Sequence, residues 1–232
     1  LNSSSGMISG IPSQSISSQS VTIKAFNEVN NFSVTLSFTV ITPITSFSYP
    51  SYSYIISVHD TFSATPSITG DQPFFSIIDG SLPQGLSLNS TSGMISGSPS
   101  QSLLSQSVMI NAFNQVSNLS FTISFTVLTP ISSFSYPQSS YLLSKDESIS
   151  ITPSFNGDQI SFSLTSGSLP QGLSIDSSSG IISGTPSQSV SSRLITIKAH
   201  NEVSDQSFSL SFSVLTSPSS LFYQQSVFII PN

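Results

Sequence analysis

Four asparagines stand in the N-x-S/T pattern that accepts N-linked glycans, and they are the clearest candidates for chemistry in this sequence. The four are Asn2, Asn31, Asn89 and Asn118. They occupy two positions of a pattern with a period of 87 residues, because the first two each have a counterpart 87 residues later. Asp176 and Asp205 take these positions in the next copy. We predict covalent glycans at the four asparagines in a eukaryotic source; the alternative is chance matching in a serine-rich chain.

The alternation of residues around these asparagines predicts that they face solvent. Asn118 shares its side of an extended chain with Ser120 and lies opposite Phe121, and Asn89 lies opposite Leu88. Successive side chains of a strand point to opposite faces, so an asparagine on the polar face leaves room for a bulky glycan. Exposed serines and threonines add acceptors for O-linked glycans, and the sequence does not distinguish among them.

Acidic residues offer a second kind of chemistry, the binding of a cation. Asp71 and Asp158 each lie in a repeated Gly-Asp-Gln segment, and Asp146 and Glu147 are adjacent. A calcium site needs about six to eight oxygen ligands, usually from several carboxylates. A single turn aspartate instead accepts hydrogen bonds from nearby backbone N–H groups. We interpret these residues as turn residues and predict no metal site.

The two histidines are the only side chains suited to general-base catalysis at neutral pH. His59 precedes Asp60 near several serines, and His200 stands alone. Neither histidine has a histidine counterpart in another repeat, and serine is so frequent that closeness to it carries no information. The sequence also has no glycine-rich phosphate loop and no distinct pair of carboxylates. We therefore predict no catalytic residues, no cofactor and no enzymatic activity.

An internal repeat organises the chain around these candidates. The segment SLPQGLSLNSTSGMISGSP at 81–99 returns at 168–186 as SLPQGLSIDSSSGIISGTP, and its second half opens the chain at 1–12. Residues 44–130 and 131–217 are identical at 49 of 87 positions without a gap.

Four segments follow from the repeat. They are the C-terminal half of a repeat at 1–43, whole repeats at 44–130 and 131–217, and the first strand of a further repeat at 218–232. Since both ends fall inside repeats, we expect the chain to be a window of a longer array. The linkers Thr42-Pro43 and Thr129-Pro130 are short and contain proline, which predicts stiff joints.

Alternation of apolar and polar residues predicts strands throughout. It is clearest at 32–40, 119–127 and 206–214, and no period of 3.6 residues is sustained anywhere. Leu82–Gly85 suits a type I turn, with Pro83 at its second position. About seven short strands per repeat, separated by turn residues, predict an all-β fold of tandem Ig-like antiparallel β-sandwiches with essentially no helix.

Composition excludes several classes of partner. Charged residues make up 6% of the 232 residues, and the net charge is −6. The four basic residues are Lys24, Lys145, Arg193 and Lys198. They provide no basic patch for phosphates, so we predict no nucleic-acid partner. No apolar run is long enough to span a bilayer, and the absence of cysteine excludes disulfides.

The repeated motif LPQGLS…G-x-ISG-x-P, followed by a strand that ends AFN or AHN, resembles the immunoglobulin-like repeats of the He-PIG type. These repeats are related to the cadherin-like domains of dystroglycan-type proteins. The residues that carry the likeness are Leu82, Pro83, Gly85, Leu86, Gly93, Ile95, Gly97, Pro99, Ala112 and Asn114. The resemblance implies an immunoglobulin-class β-sandwich in extracellular or cell-surface proteins, and it implies no single activity. The calcium-binding acidic motifs of true cadherins are absent from the joints.

Aromatic residues suggest contact surfaces. Phe26 and Phe113 lie on the same predicted strand face as the polar residues Lys24 and Asn111. Three tyrosines, Tyr49, Tyr52 and Tyr54, lie close together on a predicted edge strand. Exposed aromatic rings suit protein interfaces and sugar rings. The alternative is that these rings cap the ends of the sandwich or pack between units.

These observations favour a structural protein, the shaft of an extracellular or cell-surface fibre or stalk. A constant repeat length gives each joint the same geometry, and self-association into a homo-oligomer or filament is a further expectation. The alternative is a cell-surface adhesin that recognises glycans or a partner protein. The nearly identical loops, rich in Ser, Gly and Pro, favour the scaffold.

Overall fold

A computed structural model of the chain describes residues 1–216 and residue 218. All regular elements in this part of the chain are strands, which confirms the all-β prediction. The chain divides into two compact units between Val127 and Leu128. The strand predicted within 218–232 lies outside the described residues apart from its first position. The repeat borders at 43/44, 130/131 and 217/218 stay predictions.

A two-stranded hairpin comes first. Strand β1 (Ile16–Phe26) pairs antiparallel with β2 (Asn31–Val40). Alternation explains the pairing, because Ile23 lies opposite Val34 on one face while Thr22 lies opposite Thr35 on the other. The two threonine hydroxyls are 2.9 Å apart and bond across the strands.

The first whole repeat contains nine strands. They are β3 (Ser46–Ser48), β4 (Ser53–Ser57), β5 (Phe62–Ala64), β6 (Ser67–Thr69), β7 (Phe74–Gly80), β8 (Leu86–Leu88), β9 (Ile95–Gly97), β10 (Leu103–Phe113) and β11 (Asn118–Leu128). They form a four-stranded sheet in the order β4-β11-β10-β7, a three-stranded sheet β5-β9-β8 and a pair β3-β6.

The second repeat has the same layout. Its strands are β12 (Ser133–Ser135), β13 (Ser140–Ser144), β14 (Ile149–Ile151), β15 (Ser154–Asn156), β16 (Ser161–Ser166), β17 (Leu173–Ile175), β18 (Ile182–Gly184), β19 (Val190–His200) and β20 (Asp205–Leu215). Its sheets are β13-β20-β19-β16, β14-β18-β17 and β12-β15. The structure adds one feature to the predicted antiparallel sandwich, since β13 pairs with β20 in parallel.

Each repeat has its own apolar core. In the first, Val108 and Ile110 of β10 and Ile123 and Phe125 of β11 are fully buried against Ile95 of β9. The second repeat buries the residues 87 positions later in the same way. Period-two alternation therefore places one face of the long strands in the core of their own repeat.

The turn of the repeated motif differs from the prediction. The N–H of Leu86 donates to the carbonyl of Pro83 at 3.0 Å, so the turn begins one residue later than expected. Gly85 is its third residue, with φ of +97°, which is typical of a type II turn. The predicted type I turn was therefore wrong, because the glycine, and not the proline, determines where the chain reverses.

Candidate functional site

A set of hydrogen bonds that holds the linker before each repeat recurs with the same atoms in both units. In the first unit, the N–H of Thr42 donates to Oδ2 of Asp71 at 2.9 Å, and the N–H of Asp71 donates back to the carbonyl of Thr42 at 3.2 Å. This reciprocal pair fixes the linker residue to the Gly-Asp-Gln turn between β6 and β7. We call the full set of four residues Thr42, Asp71, Asn114 and Ser117 the linker clasp.

Asn114 and Ser117 complete the clasp from the turn between β10 and β11. Nδ2 of Asn114 donates to the carbonyls of Thr42 at 3.0 Å and Asp71 at 2.9 Å. Oδ1 of Asn114 accepts the Ser117 hydroxyl at 3.0 Å, and that hydroxyl oxygen accepts the N–H of Ile44 at 2.6 Å. One amide therefore bonds the turn, the linker and the aspartate together.

The second unit repeats the clasp with residues 87 positions later. The N–H of Thr129 donates to Asp158 at 2.8 Å, and Nδ2 of Asn201 donates to the carbonyls of Thr129 at 3.1 Å and Asp158 at 2.8 Å. The hydroxyl of Ser204 accepts the N–H of Ile131 at 2.7 Å. The entry of the chain into each repeat is thus set by residues of that repeat.

The negative charge of Asp71 is stabilised chiefly by one backbone donor. The Thr42 N–H lowers the pKa of Asp71 below its usual range, with a smaller contribution from the Thr42 side chain. In the described residues, no group of three or more acidic or histidine side chains is placed to hold a metal ion. The Asp71 carboxylate accepts a hydrogen bond from the backbone of its own unit.

The first class of sequon asparagine closes a short turn. Oδ1 of Asn89 accepts the N–H groups of Thr91 at 3.0 Å and Ser92 at 2.9 Å, and also the Thr91 hydroxyl at 2.8 Å. Asp176 accepts the equivalent two backbone N–H bonds in the second repeat, from Ser178 and Ser179, and its hydroxyl bond comes from Ser179. The N–H of Ser179 lowers the pKa of the Asp176 carboxyl. Asn2 binds two backbone N–H groups in the same way. A turn role therefore explains why only Asn or Asp occupies this position.

The second class begins a long strand. Asn31 is the first residue of β2 and lies opposite Phe26, while Asn118 is the first residue of β11 and lies opposite Phe113. All four sequon asparagines are exposed. Their glycosylation stays a prediction.

Two of the tyrosines proposed as surface residues belong to the core. Tyr49 is 5% exposed, and its hydroxyl donates to the carbonyl of Gly93. Burial raises the pKa of Tyr49, so its hydroxyl stays a neutral donor. Tyr54 is half-buried and stacks on Phe125 with ring centroids 5.7 Å apart. The interface expectation is wrong for Tyr49 and Tyr54, because both rings fill the interior of the sandwich.

The other aromatic candidates are accessible. Tyr52 is 74% exposed, with one face of its ring stacked on Phe121 at 4.7 Å. Phe26 is 78% exposed, and Phe113 is 37% exposed with its ring 6.2 Å from Phe74. An interface role for these three residues stays a prediction.

His59 lies in a turn and His200 lies at the end of a strand. His59 adopts a left-handed conformation with φ of +70°, and its N–H donates to the carbonyl of Pro99 at 2.8 Å. Asp146, its counterpart, has φ of +66° and donates to the carbonyl of Pro186 at 2.9 Å. The position therefore selects residues that tolerate this backbone conformation. His200 ends β19, and its Nδ1 is buried without a hydrogen-bond partner.

Comparison with known proteins identifies the repeat. The He-PIG family model, described as "Putative Ig domain", matches residues 39–130 and 124–217. No curated protein matches the sequence.

Solved structures of tandem immunoglobulin domains share the fold. A mutated variant of three titin domains is 17% identical, with a TM-score of 0.51 over 87% of this chain and 75% of that one. Extracellular domains 3–5 of Drosophila OTK are 14% identical, with a TM-score of 0.55 over 85% of this chain and 71% of that one. Immunoglobulin domains 1–4 of Sidekick-1 are 13% identical, with a TM-score of 0.52 over 83% and 57%. Across residues 1–216, no helix is suited to cross a membrane.

Proposed function

This chain belongs to the He-PIG family of immunoglobulin-like domains, and on that premise we propose that it is part of the shaft of a fibre or stalk outside the cell or at its surface. Its role is to set length and bear load, and it has no catalytic role. The surface carries N-linked glycans. The family and the fold support a modular extracellular protein, and the local geometry of the repeats supports the structural role.

The linker clasp is the observation that carries this proposal. A shaft needs each module to begin in the same geometry, and Thr42 and Thr129 are held by equivalent partners in the repeat that follows each of them. Nδ2 of Asn114 and of Asn201 binds the two carbonyls of its clasp at distances between 2.8 and 3.1 Å. Each repeat also has a core cluster of its own, as a module that is added repeatedly along an array requires.

The surface supports an extracellular setting. The sequon asparagines are exposed, and the chain has only 6% charged residues, so little charge keeps it in solution. Glycans at these asparagines add a hydrophilic layer over a serine-rich surface. Enzymatic removal of N-linked glycans from protein made in a eukaryotic host is expected to lower its mass, with asparagine converted to aspartate at the occupied sites. An unchanged mass would remove glycosylation from the proposal.

A length series tests the shaft directly. One or two further copies of residues 131–217 are inserted after position 217, and small-angle scattering is recorded at concentrations where sedimentation shows a monomer. A single compact body of 232 residues has a radius of gyration of about 17 Å. We expect a clearly larger value for this chain and an equal increase in maximum dimension for each added copy. A maximum dimension that grows less with each copy would contradict a shaft.

An adhesin is the competing function. Tyr52 offers one exposed ring face, which suits a sugar ring, but Ser139 takes its position in the second repeat. A binding surface repeated along the array would need the ring in both repeats. Specific binding of the full chain to immobilised glycans, lost in Tyr52→Ala and kept in Phe26→Ala, would favour the adhesin.

A further inference from the structure

The outer face of the first repeat carries two phenylalanine rings beside a sequon asparagine. Strands β7, β10 and β11 are neighbours in one sheet, and their register places Phe74 opposite Phe113 and Phe113 opposite Asn118. The three residues therefore form one row across three strands. Phe74 is 50% exposed and Phe113 is 37% exposed, with ring centroids 6.2 Å apart. The core does not account for these rings, because the adjacent residues Phe75 and Ala112 are the ones that point into it.

This row changes as a unit in the second repeat. The residues 87 positions later, in the same register, are Ser161, His200 and Asp205. The acceptor asparagine is lost here, and both phenylalanines are lost with it. The first hairpin follows the same rule, since Phe26 lies directly opposite Asn31. A phenylalanine thus stands opposite this position wherever it is a sequon asparagine, and not where it is an aspartate.

The first sugar of an N-linked glycan fits the space beside Phe113. Glycosylation joins C1 of N-acetylglucosamine to Nδ2 of the asparagine, which loses a proton, and the lipid pyrophosphate of the glycosyl donor leaves. Residues directly opposite each other on one face of a sheet have Cβ atoms about 4.5–5.5 Å apart. Because phenylalanine is longer than asparagine, its ring stands level with a sugar on that nitrogen. The axial C–H groups of the sugar then meet the negative face of the aromatic ring.

We propose that Phe113 and Phe74 form a platform that holds the first N-acetylglucosamine of a glycan on Asn118. The sugar lies with its C–H face against Phe113, and Phe74 supports that ring from the side away from β11. The sugar covers apolar surface and ties β11 to β10 beside the turn that carries Asn114 and Ser117 of the linker clasp. This inference rests on the glycosylation in the proposed function and adds that the glycan stabilises the repeat.

A cycle of variants made in a eukaryotic host measures the contribution of the ring. Ser120→Ala removes the exposed hydroxyl that the sequon requires, so it prevents glycosylation while Asn118 and Phe113 remain. Its effect is compared in the parent and in Phe113→Leu, which keeps an apolar side chain without a ring. Each protein is trimmed with an endoglycosidase that leaves one N-acetylglucosamine, and calorimetry gives the Tm of the first repeat. We expect the sugar to raise this Tm by about 3–8 °C in the parent and by less than about 2 °C in Phe113→Leu.

The sequon at Asn89 provides a control within the same repeat. Asn89 lies in the turn between β8 and β9, outside the row of Phe113. Asn89→Asp removes this acceptor and keeps the two backbone bonds that Asp176 accepts at the equivalent position. We expect its effect on Tm to be the same in the parent and in Phe113→Leu.

The position of the sugar is a readout that a general loss of stability would not reproduce. The ring current of Phe113 moves the NMR resonances of protons above its face upfield. In trimmed protein, we expect the axial protons of the sugar on Asn118 to lie upfield of those of the sugar on Asn89. This difference should vanish in Phe113→Leu.

The second repeat allows the platform to be rebuilt. Asp205→Asn creates a sequon with Ser207, and position 200 lies directly opposite it. Nδ1 of His200 has no hydrogen-bond partner among the described residues, so its replacement loses no bond there. In chains that carry Asp205→Asn, the sugar should raise the Tm of the second repeat by at least about 3 °C more with His200→Phe than with His200→Leu. Ser207→Ala gives the matched protein without the sugar.

The remaining outcomes overturn the inference. An equal effect of Ser120→Ala in the parent and in Phe113→Leu, with a glycan present on Asn118, means that the ring does not hold the sugar, and it contradicts the platform alone. Equal masses of the parent and Ser120→Ala proteins before trimming mean that Asn118 carries no glycan. That result contradicts the glycosylation in the proposed function at this site as well, whereas the length series tests the shaft independently.

Discussion

The linker clasp gives the sharpest prediction of stability. Asn114→Asp keeps Oδ1, which closes the local turn, and replaces the Nδ2 donor with a second carboxylate oxygen. The carbonyls of Thr42 and Asp71, which Nδ2 binds at 3.0 and 2.9 Å, then face an acceptor instead of a donor. Two lost hydrogen bonds cost about 1 kcal/mol each. The partly buried carbonyl of Asp71 then faces a carboxylate oxygen, which adds to that loss, whereas the exposed carbonyl of Thr42 keeps the bond from the Asp71 N–H. We expect the first repeat to lose about 2–4 kcal/mol.

Calorimetry of unglycosylated protein measures this loss. A domain of this size loses about 4–8 °C in Tm per kcal/mol, so its transition should fall by at least about 8 °C. Asn118→Asp is the control: it makes the same chemical change in the same repeat, at an exposed position where the second repeat has Asp205. We expect the control to shift the transition by less than about 3 °C.

Hydrogen exchange adds a local measurement. The amide of Ile44, which donates to Ser117 at 2.6 Å, should exchange faster in Asn114→Asp and unchanged in Asn118→Asp. Equal Tm shifts in the two variants would refute the reasoning, because the two linker bonds would then contribute nothing beyond the effect of a new charge.

Three further predictions use the turn, the buried tyrosine and the clasp aspartate. A Cβ added at Gly93 would lie 2.7 Å from the side chains of the core, whereas a Cβ added at Gly6 would meet nothing within 4 Å. In chemical denaturation, Gly93→Ala should therefore lower the free energy of unfolding by about 2–4 kcal/mol and Gly6→Ala by about 1–2 kcal/mol. Equal losses in the two variants would contradict this prediction. Tyr136→Phe should cost the second repeat about 1–3 kcal/mol. Because burial raises the pKa of Tyr136, its contribution is present below about pH 10 and is lost as the pH rises further, so above about pH 10 the second repeat should lose more stability in the parent than in the variant, while Tyr49 gives the first repeat the same pH dependence in both. Since the Thr42 N–H lowers the pKa of Asp71, the ionised carboxylate should stabilise the first repeat above about pH 4, and this contribution should be lost as the pH falls further. In a series of thermal-unfolding measurements at decreasing pH, Asp71→Asn should lack the part of the fall in Tm that comes from protonation of Asp71.

The long strands and repeats follow from local patterns, and the sequence predicts an edge strand near Tyr49, Tyr52 and Tyr54, but the alternation does not give the bounds of β4. Strand β4 carries Tyr54, Ile55 and Ile56 in succession, with Ile55 49% exposed and its two neighbours half-buried. Because three apolar residues follow one another, apolar and polar residues do not alternate along this strand, and its bounds could not be predicted from a period of two. The burial of Tyr49 had a usable signal, because it is two residues after Phe47 and both rings belong to one core.

The clasp could not be predicted from local sequence, because its partners are distant. Asp71 is 29 residues from Thr42, and Asn114 is 43 from Asp71 and 72 from Thr42. A weak signal existed in the internal repeat: Asn114 is unchanged as Asn201 while both of its neighbours differ. That invariance marks a required residue, but only the fold shows which backbone groups require it.

The parallel pairing of β13 with β20 has a mechanical consequence. Five residue pairs, from Ser140↔Ser211 to Ser144↔Leu215, join the second strand of the repeat to its last. When the two ends of the repeat are pulled apart along the strands, these two strands slide past each other in shear. Their hydrogen bonds then carry the tension together and must break almost at once, whereas an antiparallel hairpin pulled from its open end loses its bonds one after another. A repeat built in this way resists stretching most strongly at the point where the chain enters and leaves it.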